Sequence, residues 1–193
     1  MDNGADMLAP VTLSEAERYV PASFGLPRMR DFHERWFGDS LRSLGEPNLS
    51  RRENREGFRR RIRLLVLLNS HVWAIRIDNS ADGAATVRAV QNLGPRSPRI
   101  VAQERYELAP ERLRRIEDAI TAAGLRTMAP DGPPMEACVD GIQFVVELNE
   151  ASGVYFVSRD GCQASEPFRD LVGELNGLRR SAGFDLDRRS YGP

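Results

Sequence analysis

The period of the apolar positions changes along the chain, and each change marks an element. Thr12-Leu13-Ser14-Glu15 has the spacing of a capping box, which predicts a short helix stopping before Pro21. Over residues 28–44, Met29, Phe32, His33, Trp36 and Phe37 recur at helical spacing, and Gly45-Glu46-Pro47 ends the run. Residues 58–68 begin with alternation, Arg59, Arg61 and Arg63 opposing Ile62 and Leu64, then become apolar on both faces. That is how a strand passes from an exposed edge into a covered position. Residues 72–78 alternate around Trp73, Ile75 and Ile77, residues 78–83 are turn-forming, and residues 84–92 return as the partner strand. After the loop Gly94-Pro95-Arg96-Ser97-Pro98, a further strand is expected over residues 100–108. Pro110 opens a helix whose buried stripe is Leu113, Ile116 and Ile120 and whose stop is Gly124.

Two late extended segments, residues 142–148 and 154–159, are expected to pair as a β-hairpin over a loop of residues 149–153. In that register Leu148 opposes Val154 and Val146 opposes Phe156. Ile142, Phe144, Val146 and Leu148 then turn an apolar face to the helices of residues 110–123 and 167–180. The second of these opens at Pro167 and carries Phe168, Leu171, Val172, Leu175 and Leu178 inward. The other sheet face, with Gln143, Val145, Tyr155, Val157 and Arg159, is left uncovered and becomes a candidate contact surface.

Runs of strands separated by single helices argue for an α+β fold. The expectation is an antiparallel β-sheet of about five to six strands, with helices packed mainly on one face. A chain of 193 residues, 41% hydrophobic and 28% charged, suits a single domain over residues 12–184, with a flexible leader (1–11) and tail (185–193). No apolar run approaches the ~18 residues of a membrane-spanning helix, so no transmembrane segment is expected. The acidic N-terminus lacks an apolar leader, which gives cytoplasmic residence as the chain stands and periplasmic residence if an upstream leader has been removed. A net charge of −1 supplies no global field toward nucleic acid. All 27 basic residues are arginine, a repertoire suited to bidentate anion contacts, but the abundance of Ala, Gly and Pro favours GC-rich coding as the reason.

Candidate chemistry is sparse. Cys138 and Cys162 flank the hairpin and are a candidate disulfide, with two separate thiols as the alternative. Seven arginines fall between Arg51 and Arg63, with Phe58 among them. Arg59, Arg61 and Arg63 are therefore candidate anion-binding residues, able to meet phosphates along one strand face. A solvated or salt-bridged face accounts for the same run. His33 and His71 lack metal-ligand spacing, and Asp140-Gly141 and Asp160-Gly161 have turn chemistry. No phosphate loop, nucleophile elbow or dinucleotide fingerprint is present, so neither catalytic residues nor a cofactor are expected.

Three stretches taken together resemble a group of uncharacterised bacterial proteins of unknown function, some apparently exported. They are residues 36–49 with their Glu46-Pro47-Asn48-Leu49 close, the paired strands of residues 58–77, and Asp140-Gly141-Ile142-Gln143-Phe144-Val145-Val146-Glu147 with its Tyr155-to-Arg159 return. This chain has Phe144 where tryptophan is common in that group, and Gly94-Pro95-Arg96-Ser97-Pro98 where Gly-Gly-Tyr is frequent. The resemblance implies no catalytic residues. The function expected is a non-enzymatic interaction or structural module, with a protein partner or a second copy of the chain on the uncovered face. The alternative is anion or nucleic-acid binding through the Arg51-to-Arg63 run, with nucleic acid the less favoured ligand.

Overall fold

A computed structural model of the chain describes residues 13–14, 17–22, 24, 29–68, 71–94, 99–130 and 141–179. The leader, the tail and Cys138, and with it the proposed Cys138–Cys162 pairing, lie outside the described residues; of the expected capping-box helix, residues 13–14 and 17–20 are described, and residues 18–20 are not helical. Arg30–His33, Glu34–Gly38 and Asp39–Ser43 run together as one helix, α1, whose middle segment is π-helical. The strands β1 (Phe58–Leu67), β2 (Val72–Ser80), β3 (Ala85–Asn92) and β4 (Ile100–Glu107) follow. Then come α2 (Pro110–Ala122), β5 (Gln143–Glu150), β6 (Gly153–Asp160) and α3 (Glu166–Asn176). Six antiparallel strands form one sheet in the order β4-β3-β2-β1-β5-β6, the α+β architecture expected from the sequence.

The order makes β1 a central strand, flanked by β2 and β5, rather than an edge. Helices α2 and α3 cover one face. Ile62, Leu64, Val66, Trp73, Ile75 and Ile77 pack there with Ile116, Ile120, Phe168 and Leu171. Trp73 fits this layer because its indole N–H donates to Asn176 Oδ1 at 3.0 Å, which satisfies its one polar atom.

The opposite face is covered as well. Leu65, Leu67, Ala74, Val90, Val145 and Phe156 pack there with Phe24, Phe37 and Leu41 of α1 and the segment before it. The uncovered contact face therefore does not exist as drawn. The hairpin turn holds two residues, Ala151 and Ser152, so Leu148 pairs with Tyr155, Val146 with Val157 and Glu147 with Phe156. A one-residue slip exchanges the faces of a strand. Val145 and Val157 consequently point to opposite faces, at 2% and 1% exposure. Gln143 lies with Val145, bonded to Ser158 Oγ, while Tyr155 and Arg159 lie with Val157. The two extended segments do pair as expected. Phe156 is buried, but against α1, and Phe144 is only partly buried against the α2–α3 layer.

The π-helical turn has a local counterpart. The Glu34 carboxylate folds over Gly38, where a Cβ atom would meet Glu34 Oε1 at 2.2 Å. From there it accepts the backbone N–H groups of Tyr19 and Val20, both at 3.0 Å, and pairs with Arg42. The clamp fixes residues 19–20 to α1 and so brings Val20 and Phe24 into the core.

Gly38→Ala should therefore cost about 1–3 kcal/mol, as overpacking does. Gly173→Ala, at an exposed site in α3 with nothing within 4 Å of the added methyl, should gain about 0.4–1 kcal/mol. Urea denaturation of the two variants checks the opposed signs.

Candidate anion-binding site

The α1 face of the sheet is divided into rows. Val145, Leu65, Ala74 and Val90 form an apolar row across β5, β1, β2 and β3. The next row is Glu147, Arg63, Arg76 and Arg88, and the one after it contains Asn149, Arg61, Asp78 and Thr86. α1 lies over the apolar part, and the segment that follows α1 lies over the charged part. The Glu46-Pro47 exit places a carboxylate in the middle of the arginine row. Glu46 Oε2 stands 2.6 Å from Arg76 Nη1 and 3.6 Å from Arg63 Nη1, while Oε1 pairs with Arg88. Arg63 also pairs with Glu147 and donates to Pro47 O at 2.7 Å. Asp78 is shared by Arg76 at 2.9 Å and Arg61 at 2.8 Å.

Four guanidinium groups (Arg61, Arg63, Arg76, Arg88) thus meet three carboxylates (Glu46, Asp78, Glu147), and the network carries an excess of positive charge. Burial pulls the Arg76 pKa down, but Glu46 and Asp78 more than offset it, leaving a net rise. Burial also dominates at Arg61, with Arg76 adding repulsion, and Asp78 does not restore it, so its pKa is lowered. Burial raises the Glu147 carboxyl above its ordinary value, and its Oε1 has no hydrogen-bond partner.

Arg61 also forms part of a pocket of about 420 Å³ at the start of β1. One wall is the turn containing Arg52 and Arg55, a second is Phe58 and Arg59, and a third is the β5–β6 turn with Asn149. The pairing of β1 with β2 shifts between Phe58 and Arg60, and this irregularity sets Arg59 out of register and exposed. Arg61 lies over the Phe58 ring, 3.6 Å from its centroid, a cation–π contact that holds the ring against β1.

The acids at this pocket are already engaged. Glu150 receives Arg126 Nε at 2.6 Å, Arg60 Nε at 3.0 Å and Ser152 Oγ at 2.8 Å. Glu56 pairs with Arg52 at 2.9 Å. Asn149 donates to Leu49 O at 2.6 Å. Arg55 and Arg59 have no side-chain hydrogen bond or ion pair among the described residues, so two uncompensated guanidinium groups face one cavity.

The three arginines expected to line one strand face are therefore separated. Arg59 is exposed at the pocket, Arg61 is 8% exposed at its base, and Arg63 is 1% exposed inside the ion-pair network, away from any solvent anion. Sequence reading missed Arg55 as the partner of Arg59, and it missed Glu46, Arg76, Arg88 and Glu147 as one network. The available signal was the polar alternation on β2, β3 and β5, which reads as solvated until a helix is known to cover that face. His33 is partly buried and packs against Phe24, Phe32 and Phe37. Among the described residues no group of three His, Cys, Asp or Glu side chains could hold a metal ion. No helix among them is long and apolar enough to cross a membrane.

Glu46→Gln leaves three arginines facing a neutral amide and should cost about 3–5 kcal/mol in urea denaturation, the range for breaking one side of a buried ion pair. Stability should also depend on acid at Glu150, whose pKa is held down to about 2, first by the Arg126 hydrogen bond and further by Ser152 and Arg60. A carboxyl lowered by folding contributes stability that is complete above its unfolded pKa of ~4.3 and lost as pH falls toward the folded value. Glu150→Gln should be less stable than wild type at neutral pH, and the gap should close between pH ~4.3 and about 2.

Compared with known proteins, the chain matches no protein-family model and no curated protein.

Proposed function

We propose that this protein is a ligand-binding module whose ligand is anionic and sits in the pocket at the start of β1. One observation carries the reading: Arg55 and Arg59, whose side chains have no carboxylate partner among the described residues, line a cavity that also includes the buried Arg61. An anion placed there gains charge-assisted hydrogen bonds from these guanidinium groups. Wall rigidity favours it too. Arg61 is fixed from behind by Asp78 and by Asn54 O, and its stacking holds Phe58, so part of the site is ordered before binding. Coverage of the α1 face removes the sheet surface through which an interaction module would have worked, which favours the pocket over that alternative.

Calorimetric titration with pyrophosphate at low salt tests the proposal. Binding should weaken as salt rises, because the pocket is open to solvent. Arg55→Ala/Arg59→Ala should weaken it at least about tenfold, the loss expected for charged hydrogen bonds. Arg114→Ala/Arg115→Ala, two exposed arginines on α2, should leave it unchanged. Equal weakening by both double variants, or no binding by wild type, overturns the assignment.

A further inference from the structure

We infer that the ligand of this pocket is a phosphate ester joined to a flat aromatic ring, of the nucleoside monophosphate class. This rests on the anion reading above and adds the aromatic part. The cavity of about 420 Å³ falls in the ~300–1,000 Å³ range of sites that enclose small organic molecules, more room than a lone phosphate fills. Phe58 lines the same cavity and remains half-buried. Phenylalanine has no polar atom to place at a wet, basic site, so its contribution there is a surface for another apolar or aromatic group.

The positions of the groups fit one compact ligand. Phe58 is held close to Arg55 by its N–H bond to Arg55 O at 3.3 Å, and Arg59 follows it directly at the strand irregularity. The phosphate-binding groups and the ring are thus neighbours on one short stretch of chain. Arg61 stacked on Phe58 draws electron density toward one face of the ring, which favours contact with an electron-rich aromatic such as a purine. Sequence-tolerant stacking of bases on aromatic side chains is the general means by which single nucleotides are held beside arginines. The same chemistry is presented by a free mononucleotide and by a single-stranded oligonucleotide. We assign the free mononucleotide, because Arg55 and Arg59, unpaired among the described residues, serve one pocket rather than a row of phosphates.

Calorimetry with pyrophosphate, ribose 5-phosphate, adenosine monophosphate and a dT oligonucleotide separates these cases. Adenosine monophosphate should bind about tenfold or more tightly than ribose 5-phosphate, the gain expected of one stacked base. Phe58→Leu, which keeps the site apolar and the strand folded, should cancel that gain so that the two ligands bind alike. Equal binding of the two phosphates by wild type overturns the aromatic assignment while the anion reading stands. Failure of every phosphate, pyrophosphate included, overturns both. Binding of the oligonucleotide tenfold tighter than the mononucleotide overturns the small-ligand assignment.

Discussion

The Glu46 carboxylate, set between Arg63, Arg76 and Arg88, is the interaction on which the α1 face of this fold depends. A central strand that buries arginine on one face and isoleucine and leucine on the other is stable only if carboxylates reach it, since an unpaired buried charge is far costlier than a paired one. β1 is such a strand. Its partners come from β2 and β5 and from Glu46 just past the end of α1, so folding of the sheet and docking of α1 are tied together through charge as well as through Phe37 and Leu41. The Glu34 clamp on residues 19–20 adds a second buried carboxylate that fixes chain outside the sheet to α1.

The same network shapes the pocket. Glu46, Asp78 and Glu147 are consumed inside the sheet, and Glu150 is consumed by Arg60 and Arg126, so the acids near the start of β1 are already committed to other bases. Arg55 and Arg59 are left facing the cavity with their charge intact. The network reaches the pocket at Arg61, which pairs with Asp78 and lines the cavity.

Much of the fold was legible in the chain. The helical spacing of Phe32, Trp36 and Phe37, the stripe Ile116–Ile120 and the Phe168–Leu171–Leu175 face each mark an element that the structure contains. Strand pairing was read one residue out of register at β5–β6, because β6 has apolar side chains on both faces, Val154 and Phe156 on one and Tyr155 and Val157 on the other, so alternation does not choose between a two-residue turn and a five-residue loop. That slip exchanged the faces of Tyr155 and Phe156 and produced a contact surface whose residues in fact lie on both faces, Val145 under α1 and Val157 under α2 and α3. The site was half legible. The arginine density near Phe58 was visible, but which arginines are spent on carboxylates depends on cross-strand neighbours that arrive from Glu46 and Glu147, far away in sequence. Period alone cannot tell a charged residue that faces water from one that faces a buried partner.

Nitrogen-15 resonances of the arginine side chains, followed by NMR during titration with phosphate, test the central claim most directly. The account predicts that the Arg55 and Arg59 Nε signals shift together and saturably while those of Arg63 and Arg76, held by buried carboxylates, stay in place. Shifts spread evenly over exposed arginines, or movement of Arg63 and Arg76 before Arg55 and Arg59, would contradict it.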